Sequence, residues 1–166
     1  MSYWETEIPL LIRYTIGDVT SPQSYTDDRL KQQAVAAAIF VQTEVDLTTA
    51  YSVSIASTGI VPDPCDPATR DDLFVSLVTM KSACMLATNE FRIRGGQAIS
   101  IKDGDSSIST SDRAKTSKDV AANFCEMYSE LKWDIETGQS TNAVSRFRAV
   151  TSPFRFQYGG NPPPSY

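Results

Sequence analysis

Closely spaced carboxylates are the groups in this chain best placed for acid–base or metal chemistry. Asp103 and Asp105 flank Gly104 in a spacing that could begin a calcium loop. The ligand-rich twelve-residue pattern and its closing glutamate do not follow, so turn chemistry accounts for the pair. Asp27-Asp28 and Asp71-Asp72 would each set two acids side by side for proton transfer. Both pairs stand at helix starts, where negative charge complements the macrodipole. Gly95-Gly96 lacks the lysine and hydroxyl of a phosphate-binding loop and follows a helix rather than a strand. The chain contains no histidine. This excludes serine–histidine and cysteine–histidine nucleophile systems within the chain and removes the commonest metal ligand. Cys65, Cys84 and Cys125 are separated by 19 and 41 residues, which matches no zinc spacing. The odd count fits an oxidised scaffold poorly, so three reduced thiols are expected, with Cys84 and Cys125 acting as small apolar side chains in helices. The residues therefore predict a protein that is not an enzyme, with no metal and no cofactor.

Binding chemistry is concentrated at the C-terminal end. Residues 138–166 carry Arg146, Arg148 and Arg155 and no acid, a local balance of +3 within a chain of net charge −5. The remaining residues therefore balance at −8. Phe147, Phe154, Phe156 and Tyr158 alternate with these arginines, a composition enriched in interface anchors. Pro153 and the run Pro162-Pro163-Pro164 break regular structure. One segment could pair as a final strand. Two segments split by proline are expected instead to form an extended docking arm over 139–166, laid across a neighbour.

The elements that must present this arm are mainly helical. At 166 residues, 41% apolar and 21% charged, the chain is sized for one domain with a modest appendage. Met1–Thr6 has no basic leader, and the longest apolar stretch, Ala34–Val41, is too short to cross a bilayer. A cytoplasm-like site of synthesis is expected. Ile8–Ile16 is apolar, but its pattern does not choose between strand and short helix. Thr26 offers an N-cap for a helix over 26–46, in which Leu30, Ala34, Ala37, Val41 and Val45 recur at helical spacing. Tyr51, Val53 and Ile55 alternate with small residues and predict a short strand. Asp66 and Pro67 read as the cap and first residue of a central helix over 67–94, whose stripe is Leu73, Leu77, Met80, Cys84, Ala87 and Phe91. Residues 97–110 predict two short strands around Lys102-Asp103-Gly104-Asp105, since Asp-Gly between apolar alternations is a strong hairpin signal. A last helix over 112–137 presents Val120, Phe124, Met127, Leu131 and Ile135 on one face, with Gly138 as its stop. The expected fold is mainly α: an antiparallel bundle of three long helices in a domain over 1–138, a hairpin between the second and third, and the C-terminal arm.

The stretches TDDRLKQQAVAAAIFV (26–41) and IKDGDSSISTS (101–111), with the element order over roughly 10–137, resemble the head–tail connector (adaptor) proteins of tailed bacteriophages. The resemblance implies a virion structural protein of the neck, assembled in the host cytoplasm. It implies a ring of this chain, of twelve subunits, sitting beneath the portal protein. Such a ring would extend the DNA channel and offer a platform to the tail or tail-terminator protein. A terminal segment in such families anchors on the portal, and Ser145–Tyr158 matches that role by position. The candidate docking residues are Arg146, Phe147, Arg148, Phe154, Arg155, Phe156 and Tyr158. Lys102, Asp103, Gly104 and Asp105 are candidate contacts at the hairpin. An acidic body lets DNA pass without sequence-specific binding. The alternatives are a tail terminator or other neck protein, and a cytoplasmic helical interaction module.

Overall fold

The computed structural model describes residues 2–96, 100–103, 106–109 and 111–137, and the side chains of all of these except 94–115. Helix α1 spans Trp4–Ile16 and settles the segment whose pattern left strand and helix open. Its first N–H groups are capped from a distance. Asp63, 60 residues along the chain, accepts from Tyr3 N at 2.5 Å and from Trp4 N at 3.2 Å, which satisfies donors that no local side chain reaches. At the other end Gly17 takes φ +75° and donates its N–H to Arg13 O and Tyr14 O, the left-handed closure that glycine makes without a Cβ clash.

Helix α2 spans Asp27–Glu44, and the Thr26 hydroxyl accepts from Arg29 N at 3.3 Å as its cap. All five residues of its expected stripe, Leu30, Ala34, Ala37, Val41 and Val45, are buried, together with Val35 and Ala38. The small side chains bring α2 close to helix α3, Asp72–Gly96. Helix α3 packs against both α1 and α2, which gives it the central place its sequence predicts. Being covered on two sides, it buries Phe74, Val75, Leu77, Val78, Ser82, Ala83 and Leu86. The expected line through Leu73, Met80 and Phe91 is only half-buried.

The start of α3 differs from expectation. Asp66 does not cap a helix; its carboxylate accepts from Ala68 N at 2.9 Å in a local turn. The cap is Asp71, which accepts from Phe74 N at 3.0 Å through Oδ1 and from the Tyr51 hydroxyl at 2.7 Å through Oδ2. The Tyr51 ring in turn stacks on Phe74 at 3.9 Å between centroids. One carboxylate thus fixes the helix start and the entry to strand β1, Ser52–Ser54. That strand is not alone: β2, Gly59–Val61, pairs with it antiparallel, Val53 opposite Ile60. Strands β3, Ser100–Asp103, and β4, Ser106–Ser109, form the predicted second hairpin, Ile101 opposite Ile108.

A buried guanidinium joins α1 to α2. Arg13 is 5% exposed. It donates to Asp18 Oδ2 at 2.8 Å, to Tyr25 O at 2.7 Å and to Asp27 Oδ1 at 2.6 Å. Burial by itself pushes the Asp18 carboxyl up, but the N–H groups of Ser24 and Tyr25, with Arg13, outweigh it and hold the group below its ordinary value. Every buried side-chain N or O among the described residues has a hydrogen-bond partner.

Helix α4 spans Ser111–Glu136. Its expected apolar face is incompletely covered: Val120 is 45% exposed and Met127 41%, Phe124, Leu131 and Ile135 are half-buried, and Ser117, Ala121 and Tyr128 are the buried side chains. The reason lies in two anchors. Cys125 forms a disulfide with Cys84 of α3, which corrects the expectation of three reduced thiols; Cys65 is free and buried. Tyr128 donates its hydroxyl to Glu44 Oε2 of α2 at 2.8 Å. Together these draw in the line Ser117, Ala121, Cys125, Tyr128. By contact clustering the chain divides into two units, Met1–Lys132 and Trp133–Tyr166. Of the second, only 133–137 are described, the end of α4 and the residue after it.

Candidate functional site

The sequence-predicted docking residues Arg146, Phe147, Arg148, Phe154, Arg155, Phe156 and Tyr158 lie outside the described residues, as do Gly104 and Asp105. Lys102 and Asp103 sit on β3, opposite Ser107 and Ser106. The described surface within the first unit supplies a different candidate, made of two apolar stripes.

The first stripe is on α4. Val120, Phe124 and Met127 follow one another at steps of four and three, the spacing of one helix face. Phe124 is half-buried and the other two are exposed. The same stretch edges a hollow of about 420 Å³ whose described lining includes Thr116, Asp119, Val120, Asn123 and Phe124. The second stripe runs from the α1 N-cap along α1, where Tyr3, Leu10 and Tyr14 are exposed, Tyr14 by 67%, with Glu7, paired to Arg70, between Tyr3 and Leu10. Trp4, Ile8 and Ile12 fill the opposite, buried face. The signal that separates surface from core on α4 was present in the sequence as two competing lines. Ser117, Ala121 and Cys125 lack the bulk of the Val120 line, and a covalent and a polar partner decide in favour of the line they share with Tyr128.

Beneath the α4 stripe lies a charged joint. Lys81 Nζ pairs with Glu44 Oε1 at 2.6 Å. It also sits 4.6 Å from the centroid of the Tyr128 ring and 5.3 Å from that of Phe40, distances at which a ring face attracts a cation. Partial burial pushes the Glu44 carboxyl up, but hydrogen bonds from Lys81 and Tyr128 outweigh this and keep its value lowered. The joint therefore holds a carboxylate, an ammonium and a phenol in mutual satisfaction.

Elsewhere the perturbed groups are driven toward unreactive forms. Burial, then the charges of Glu7 and Asp63, push the Cys65 thiol up to about 12. Burial, aided by Glu90 beside Tyr25 and Asp71 beside Tyr51, raises both phenols above their ordinary range. These hydroxyls act as hydrogen-bond donors to carboxylates. Glu7 is lowered first by its hydrogen bond from Arg70 and is held in an exposed ion pair. Among the described residues no group of three or more Cys, Asp or Glu is placed to hold a metal ion. No helix among them is long and apolar enough to cross a membrane. What the arrangement offers is contact area: two helical apolar faces on one body, each on a different element. Comparison of the chain with protein-family models, curated proteins and solved structures finds no match.

Proposed function

We propose that this chain is a virion structural protein, a head–tail adaptor that forms a ring under the portal of a tailed bacteriophage, extends the DNA channel and receives the tail. The observation that carries the reading is the exposure of Val120 and Met127 on the α4 stripe. Large apolar side chains left open to solvent on one helix face call for a second molecule to cover them. A closed ring needs two different patches on each subunit, because its interfaces are heterologous and head-to-tail. The α4 stripe, Val120 to Met127, and the α1 stripe, Tyr3 to Tyr14, supply two such patches on separate elements. In this reading residues 139–166 are the arm that reaches the portal, and the acidic body around the channel lets DNA slide. The work is geometric joining, with no bond made or broken.

Native mass spectrometry and negative-stain imaging of the full chain, alone and with portal rings, test this. Closed rings or portal-bound rings are expected. The pair Val120→Ser and Met127→Ser should leave the helical circular dichroism unchanged and lower ring assembly at least tenfold. A chain that stays monomeric in both settings would overturn the adaptor assignment in favour of an interaction module. Rings that bind tail tube but not portal would move it to a terminator position.

A further inference from the structure

The Cys84–Cys125 disulfide joins the two helices that bracket the second hairpin in the chain. Both of its cysteines are half-buried rather than enclosed. The third cysteine is placed differently. Cys65 is 1% exposed, packed where it can neither meet a reagent nor enter exchange, and its raised thiol value adds to that inertness.

The grip of α4 on the body is correspondingly narrow. Its buried apolar side chains among those described are Ala121 and Tyr128. Helices α1, α2 and α3, by contrast, bury several large side chains each against one another. Among the described contacts that hold α4 besides the disulfide are the Tyr128–Glu44 hydrogen bond and the Lys81 contact with the Tyr128 ring, both of which water and salt weaken.

We infer that the Cys84–Cys125 pair is a reversible clasp, a thiol–disulfide exchange site for dithiol reductants, whose opening frees α4 from α3 while α1, α2 and α3 stay packed. A thiolate of the reductant attacks one protein sulfur and forms a mixed disulfide, and the other cysteine leaves as a thiolate. The second thiol of the reductant, as its thiolate, then displaces the first sulfur and closes the reductant's own disulfide. Two electrons and two protons pass to the protein, which ends with two thiols. In a reducing cytoplasm the clasp stands open, and outside it the clasp closes. This holds whether or not the chain is an adaptor.

Hydrogen exchange of the full chain, read by mass spectrometry with and without millimolar dithiothreitol, tests the inference. Reduction should speed exchange across 116–132 at least tenfold and leave 4–16 and 27–44 within twofold. Oxidised glutathione should restore the slow state. Alkylation of the reduced, folded chain should label Cys84 and Cys125 and spare Cys65. The double variant Cys84→Ser, Cys125→Ser should show the fast α4 exchange without reductant. Unchanged α4 exchange on reduction, equal loosening of all helices, or a disulfide that resists dithiothreitol under native conditions would each overturn it.

Discussion

Helices α2 and α4 are held to the same body by different forces. The seven buried apolar residues of α2 and its C-terminal edge, from Leu30 to Val45, are pressed against α1 and α3. Burying such side chains is worth roughly 1.5–3 kcal/mol each for the larger ones, and no single contact decides the outcome. Helix α4 is fastened, among its described contacts, by the bond to Cys84 and by the Tyr128 hydroxyl on Glu44. Cross-linking residues 41 apart stabilises by about 4 kcal/mol on the chain-entropy account. A helix held by distributed packing is insensitive to redox state. One held by a covalent bond and by a phenol hydrogen-bonded to a carboxylate responds to redox state and to acid.

The sharpest way to break that contrast is to open the packed side. Phe74→Ala removes a fully buried ring, and with it the partner on which Tyr51 stacks. A loss of about 4 kcal/mol in urea unfolding is expected, shared by all helices. A loss confined to α3 would show that the body does not unfold as one.

A smaller effect is expected on the linked side. Tyr128→Phe keeps the ring over Lys81 and deletes the hydroxyl on Glu44. It should weaken α4 by about 1.5 kcal/mol, the lower end for a bond to a charged acceptor. Exchange should rise across α4 and stay level in α1, and a global loss would merge the two regimes.

The gentlest probe is acid. Asp18 in the body and Glu44 at the α4 joint both titrate below their ordinary values of 3.8 and 4.5. A carboxyl whose folded value is depressed contributes stability that is fully present above the unfolded value and lost as pH falls through the folded one. Stability should therefore be level from neutrality to about pH 5 and fall below about pH 4. Asp18→Asn should lower stability at neutral pH and flatten the acid limb. A steep loss above pH 6 would contradict both assignments.

Much of the scaffold was legible from local rules. Thr26 caps α2 because an extended residue with a hydroxyl before Asp27-Asp28 has few other uses, and the α2 stripe is buried as its spacing requires. Strands β3 and β4 pair on either side of the position where the sequence places an Asp-Gly hairpin signal. Where the reading failed, the partner lay far along the chain. Asp63 caps α1 from 60 residues away, and Asp71 displaced Asp66 as the α3 cap because the Tyr51 hydroxyl also needed its carboxylate. The candidate surface was legible only in part: spacing puts Val120, Phe124 and Met127 on one face of α4 but does not say whether that face meets the body or solvent.

Composition and periodicity thus determined by themselves that the chain is mainly helical, where α2 and the second hairpin fall, and that histidine-based catalysis is absent. These follow from backbone geometry and side-chain type, which act over a few residues. Only the tertiary structure decided which face of α4 meets the body, that Cys84 and Cys125 join, and that Arg13 is buried among Asp18, Tyr25 and Asp27. Those outcomes depend on which surfaces arrive opposite one another. Helical spacing offers several equivalent faces, and a bond formed across distant stretches of chain selects among them.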